Sequence, residues 1–169
     1  DDVEVEKWPA ANLIYSRPVR ALLQAGDETG VERVIMEHMR YMMEHELTTG
    51  QVFGAMVRTE DCLGPDGETG LFARFFTVTT KSIDHVPEDL CAVRPAGRYL
   101  VTYFKGDYMK TGPAYARLRR WLQAHPEWRP GDCSYEESIL EDLSTANPQE
   151  YITRVAVPLQ QHGDKRGDR

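Results

Sequence analysis

Arg98-Tyr-Leu-Val-Thr-Tyr-Phe-Lys-Gly-Asp-Tyr108 is the stretch from which the rest of the chain can be read. Its regular part, from Arg98 to Phe104, has the Tyr, Val, Thr and Phe content of a strand. Side chains alternate across a strand, so Tyr99, Val101 and Tyr103 fall on one face and Leu100, Thr102 and Phe104 on the other. Pro95-Ala96-Gly97 is its irregular start, within a strand region at 91–104. Thr111-Gly112-Pro113 then opens a helix, with Pro in the first turn, where its missing N–H costs nothing. Ala114, Leu118, Trp121 and Leu122 give that helix an apolar stripe, and His125-Pro126 stops it. Residues 134–142 and 150–159 follow as two strands joined by a loop with Ser144, Asn147 and Pro148.

The same order stands upstream. Residues 3–16 read as a strand interrupted at Trp8-Pro9, which predicts an edge position or a bulge. Residues 28–46 read as a helix, because Val31, Val34, Ile35, His38, Met39, Met42 and Met43 recur at spacings of three and four. Gly50 ends that segment. Residues 51–59 and 71–81 are rich in Val, Phe and Thr, with the turn Gly64-Pro-Asp-Gly67 between them, a hairpin signal. The chain thus runs strand–helix–strand–strand twice, at an offset of about 85–90 residues. The expected fold is α+β, with duplicated strand–helix–strand–strand units, antiparallel sheets and a ligand cleft between pseudo-symmetric halves. One domain is expected over 1–159, with repeats at 1–85 and 86–159, followed by a polar, disordered tail at 160–169. If the two sheets join or face each other, their helix-free faces leave a groove, a common place for small ligands.

Composition narrows the function. A chain of 169 residues suits one domain with a real core, and 41% hydrophobic against 28% charged residues excludes wholesale disorder. No apolar run approaches the roughly 18 residues of a membrane span. The net charge of −7 argues against a broad phosphate-binding face. Residue 1 is Asp, with neither a basic nor an apolar leader behind it, so the expectation is a processed chain or a fragment. Cys62, Cys91 and Cys133 lack zinc-site spacing and read as reduced thiols of a cytoplasmic protein.

The densest chemistry lies in Arg98–Tyr108 together with Tyr135-Glu136-Glu137 and Glu150-Tyr151. Alternation sends Glu136 and Glu137 to opposite faces, so one of them points toward whatever the sheet covers. A carboxylate among Tyr rings makes a site for an apolar cation, because ring faces attract positive charge and the carboxylate neutralises it. On composition alone the same residues are ordinary half-buried strand tyrosines and one solvated Glu.

Pro95-Ala96-Gly97-Arg98-Tyr99, Phe104-Lys-Gly-Asp-Tyr108, Ala114-Tyr115 with Leu118 and Trp121-Leu122, Tyr135-Glu136-Glu137 and Glu150-Tyr-Ile-Thr-Arg-Val-Ala-Val-Pro158 together resemble one family. It is the GyrI-like small-molecule-binding domain, the effector domain at the C-terminus of MerR-type multidrug-sensing and some AraC-type transcription regulators. The resemblance rests on motifs over 91–159 and on element order over 3–81. It implies a cleft between the halves, lined with aromatics around an acid that pairs with lipophilic, cationic drugs. That acid matches Glu136, although Ser138 stands where the family pattern has Tyr. The aromatic wall matches Tyr103, Tyr108 and Tyr151, and pseudo-symmetry adds Tyr15 and Phe53 from the first repeat.

The resemblance further implies a cytoplasmic bacterial sensor with no catalytic residues, no cofactor and no metal. Such a sensor reaches DNA only through a separate DNA-binding domain, and a homodimer belongs to the full-length regulator. Two alternatives stay open. One is a stand-alone GyrI-like protein that sequesters drugs or toxins or modulates gyrase. The other is a hydrolase of reactive electrophilic ligands, using the cleft Glu and Tyr. The remaining motifs are weaker. His38 and His45 sit two turns apart, and His45-Glu46 lacks the second His of a zinc helix. Met39, Met42 and Met43 read as core or as an adaptable wall. Arg117, Arg119 and Arg120 read as a solvated basic face or a contact for a DNA-binding partner domain.

Overall fold

The computed structural model describes residues 2–48, 53–65, 67, 69–140 and 147–161. Both proline interruptions split one expected strand into two. The first gives β1 (Val3–Trp8) and β2 (Ala11–Pro18), on either side of Pro9. A short helix α1 (Arg20–Gln24) leads into α2 (Glu28–Glu44), which starts where the Asp27 carboxylate accepts the Gly30 N–H at 2.9 Å. Val34, His38 and Met42 of α2 are buried at helical spacing. Then come β3 (Phe53–Arg58), the single turn α3 (Thr59–Cys62) and β4 (Arg74–Thr79). Gly50 lies outside the described residues, as do Asp66 of the expected turn and Ser144 of the expected loop.

The second half opens with β5 (Cys91–Arg94) and β6 (Gly97–Lys105), parted by Pro95. It continues with α4 (Gly112–Ala124), the short β7 (Trp128–Pro130), β8 (Cys133–Leu140) and β9 (Ile152–Gln161). β9 thus carries the chain through Gln160 and Gln161, and residues 162–169 lie outside the described residues. No helix is long and apolar enough to cross a membrane, among the described residues.

The strands form one antiparallel sheet in the order β1-β6-β9-β8-β3-β4-β2-β5, with β7 alongside β9. The order β6-β9-β8 of one half mirrors β2-β4-β3 of the other, and the halves meet where β8 pairs β3, with Ala55 opposite Glu136. Each half lends its first strand to the other, since β1 pairs β6 and β5 pairs β2. The sheet curls until its two ends touch, for the Arg94 guanidinium of β5 lies 4.8 Å from the Trp8 ring of β1. The face on which they meet is therefore concave. It holds Leu13, Met56, Phe76, Tyr99, Val101, Tyr135 and Ala156 as a core without helices. The helices cover the convex face, where Val34, Ala55, Phe75, Leu100, Leu118 and Val155 form the larger core. The helix-free faces consequently do not leave the expected groove. Aromatic side chains fill them, and the cleft lies on the other side.

Gly54 sits at the seam between the halves. A Cβ there would lie 2.5 Å from the Glu136 carbonyl oxygen and 2.7 Å from Phe76 Cζ. Gly54→Ala is therefore expected to cost about 2–3 kcal/mol of stability through overpacking, read as a lowered midpoint in thermal unfolding. An unchanged midpoint would show that the seam can relax.

Candidate functional site

β8 decides what faces the cleft. Its alternation points Ser134, Glu136 and Ser138 to the convex face and Tyr135 and Glu137 to the concave one. Glu136 is flanked in register by Ala55 and Val155, so only a methyl group stands beside it on the β3 side. Above this floor opens a cleft of about 730 Å³, a size ordinary for small-molecule sites. Leu22 and Leu23 of α1 with Val31 and Ile35 of α2 form one wall, and Phe53, Phe72 and Phe75 form the back. Tyr108, Met109 and Tyr151 of the second half form the facing wall. The cleft thus lies between the pseudo-symmetric halves.

Its electrostatics are one-sided. Asp27, Glu28, Glu32 and Glu136 line it, and among the described residues no Lys or Arg does. Glu136 is only 5% exposed. The Tyr115 hydroxyl donates to its Oε2 at 2.6 Å, and Tyr115 and Ser134 share a further hydrogen bond of 2.8 Å. Burial pushes the Glu136 carboxyl up to about 7, against the lowering effect of the Tyr115 hydrogen bond. Burial likewise pushes the neighbouring Cys62 thiol up to about 12.

The next residue has the opposite fate. Glu137 is just as buried, but Arg154 binds its Oε1 at 2.6 Å and Arg94 stands 3.5 Å from its Oε2. Two guanidiniums neutralise Glu137 on the concave face. Among the described residues, no cation pairs with Glu136. A buried carboxyl without a counter-charge is costly when ionised, so the site is built to gain from an incoming positive charge.

Of the six residues singled out in the sequence, the structure brings Glu136, Tyr108, Tyr151 and Phe53 together around the cleft. The Tyr108 and Tyr151 rings stack with centroids 6.2 Å apart. Tyr103 and Tyr15 stand elsewhere. Tyr103 shares strand parity with Tyr99 and Val101, so it lies on the concave side of β6, 46% exposed. Tyr15 pairs with Phe76 and lies beneath the Arg74 guanidinium at 4.4 Å, also on the concave side. Neither residue lines the cleft.

The sequence reading missed Phe72, Phe75, Met109 and the acids Glu28 and Glu32. A usable signal existed for the acids. Glu28, Val31, Glu32 and Ile35 follow the i, i+3, i+4, i+7 rule of a single helix face. The methionines divide, with Met42 packed in the core and Met39 and Met43 exposed. His38 is buried against Thr77 Oγ1 at 2.7 Å, whereas the His45 ring stacks on Tyr41. Arg117 donates to the Tyr103 carbonyl and Arg119 to those of Leu63 and Gly64, so two of the three α4 arginines fasten the fold. Among the described residues, no group of three His, Cys, Asp or Glu side chains could hold a metal ion.

No protein-family model and no curated protein matches the sequence, but solved structures match the fold. The EcmrR C-terminal domain aligns with a TM-score of 0.61 at 12% identity, covering 94% of this chain and 97% of that one. EcmrR in a complex with DNA aligns with a TM-score of 0.62 at 13% identity, covering 94% of this chain and 57% of that one. This chain therefore spans little more than half the length of that protein. SAV2435 bound to tetraphenylphosphonium aligns with a TM-score of 0.56 at 11% identity, covering 95% and 94% of the two chains. A hydrolase encoded by lin2189 from Listeria innocua aligns with a TM-score of 0.59 at 10% identity, covering 94% and 92%. At these identities the likeness establishes a shared fold.

Proposed function

We propose that this chain is a GyrI-like effector-binding domain that senses lipophilic cations for a MerR-type transcription regulator. One observation carries the reading: Glu136, buried and, among the described residues, without a counter-charge, floors a cleft whose described lining holds aromatic rings, further carboxylates and no Lys or Arg. A cation entering the cleft supplies the missing charge, and the Tyr108 and Tyr151 rings add attraction through their faces. Aromatic walls lose little conformational freedom on binding, which suits a site that accepts many shapes. The fold shared with the EcmrR C-terminal domain and with SAV2435 bound to tetraphenylphosphonium supports the reading.

In this reading the ligand touches α1 and α2 of one half and the Tyr108–Tyr151 wall of the other. It favours whichever relative placement of those walls pairs it best, and so shifts a population that an attached domain can read. The DNA-binding part is a separate domain, the full regulator is a homodimer, and the protein works in the cytoplasm with Cys62, Cys91 and Cys133 reduced. The free state of these cysteines agrees with that compartment.

Tetraphenylphosphonium and tetraphenylborate test the reading, because they share a shape and differ in charge. Calorimetric titration is expected to give micromolar binding of the cation and at least a ~100-fold weaker interaction of the anion. Equal affinities, or binding of neither, would overturn it.

A hydrolase is the second reading, favoured by a carboxyl whose pKa near 7 suits proton transfer. Tyr115, which bonds Glu136, is 2% exposed, and the tyrosines lining the cleft are Tyr108 and Tyr151. Sensing is preferred because a buried carboxyl among ring faces gains most from a bound cation.

A further inference from the structure

α2 carries a feature that binding of a single cation does not use. Its cleft-facing residues Glu28, Val31, Glu32 and Ile35 occupy positions i, i+3, i+4 and i+7, a stripe that a packed helix normally fills with apolar side chains. Two of the four are carboxylates. They stand four residues apart on one face, a like-charge spacing that weakens a helix. Neither joins an ion pair among the described residues. Both are exposed, whereas Glu136 on the floor is buried, so the cleft has acidic groups at its mouth and at its base. Val31, Ile35 and Phe75 line the same cleft and supply its apolar surface. Among the described residues, the side-chain hydrogen bond to the Glu136 carboxyl is at Oε2.

We infer that the cleft selects elongated molecules with two cationic ends on a lipophilic body, one end at Glu136 and the other at Glu28 and Glu32. This inference rests on the cleft being a cation site. It names the class of cation that site fits best. The inner contact is desolvated and resists salt, whereas the outer contact is solvated and screened. The advantage of a second charge should therefore fade as ionic strength rises, while the affinity for a single charge holds.

The probes are α,ω-bis(trimethylammonium)alkanes of increasing chain length. Each is paired with the isostere in which one quaternary nitrogen is replaced by carbon, which keeps the shape and removes one charge. Calorimetry on the full chain near about pH 8 keeps Glu136 ionised once a cation is bound. The best dication is expected to bind about tenfold more tightly than its isostere, although the isostere is the more lipophilic. Glu28→Gln with Glu32→Gln is expected to remove most of that difference, lowering the dication's affinity much more than the isostere's. Because both side chains are exposed on a helix surface, the double variant should fold, which circular dichroism checks.

If tetraphenylphosphonium binds but dication and isostere bind equally at every length, this inference is overturned and the cation site stands. The same holds if the double variant weakens both equally. If tetraphenylphosphonium fails to bind as well, the cation site falls and this inference falls with it.

Discussion

Glu136→Gln is expected to lower the affinity for tetraphenylphosphonium about a hundredfold and to make the empty domain more stable at pH 8. The first effect follows from Coulomb's law in a site of reduced polarity. A unit charge about 4 Å from a carboxylate gains roughly 4 kcal/mol at an effective dielectric constant near 20. Near pH 6, removing the proton from Glu136 offsets about 1.4 kcal/mol of that, leaving roughly 2–3 kcal/mol, or about 30- to 150-fold in affinity.

The second effect has the sign of a raised acid. Below about pH 4 the folded and unfolded chains both hold the proton, and Glu136 costs nothing. Between the ordinary value of 4.5 and the folded value of about 7, the unfolded chain gives up the proton and the folded chain keeps it. Stability therefore falls as pH rises through that window, and the full penalty, about 3 kcal/mol, is present above pH 7. Gln does not titrate. The variant should match the parent near pH 4 and exceed it by about 3 kcal/mol near pH 8 in denaturant unfolding. Superimposable stability curves would refute the buried-acid argument, and unchanged affinity would refute the role given to Glu136.

Proton linkage of binding carries the second large effect. A cation binds best to ionised Glu136, yet the empty site holds the proton up to about pH 7. The dissociation constant for tetraphenylphosphonium should accordingly fall about tenfold per pH unit from pH 5 to 7 and level off above. Over that range the gain is about a hundredfold. Near pH 6, calorimetry in buffers of differing ionisation enthalpy should find close to one proton released per cation bound. Glu136→Gln should abolish both the slope and the proton release. A flat profile in the parent domain would mean that the ligand does not meet Glu136.

Much of this was legible in the residues. The periodicities at 28–46 and from Gly112 onward gave both long helices, and strand composition gave the duplicated order and its antiparallel character. Glu136 was legible because parity places it on the opposite face from Glu137. What parity alone could not tell is which face bears the cleft. Tyr103 was chosen for its ring, but it shares parity with Tyr99 and Val101, and those pack into the concave core. Tyr15 failed similarly, because its pairing with Phe76 depends on how β2 and β4 align. Nothing local announces that Trp8 meets Arg94 across the closed ends of the sheet, since 86 positions separate two residues that touch only after the sheet curls. Glu28 and Glu32 were missed because helical acids ordinarily read as solvent-facing.

The exchange of β1 and β5 has a consequence for how the molecule can be divided. A cut between 85 and 86 would not yield two autonomous modules. The first would keep a strand whose hydrogen-bonding partner, β6, had left with the second, and would lose β5 from the margin of β2. Each fragment would present a raw edge that invites pairing with another chain. The repeat is thus legible as two copies but folded as one, a pair whose members have traded arms. Pulling the copies apart would mean breaking the β8–β3 pairing and also drawing β1 from β6 and β5 from β2.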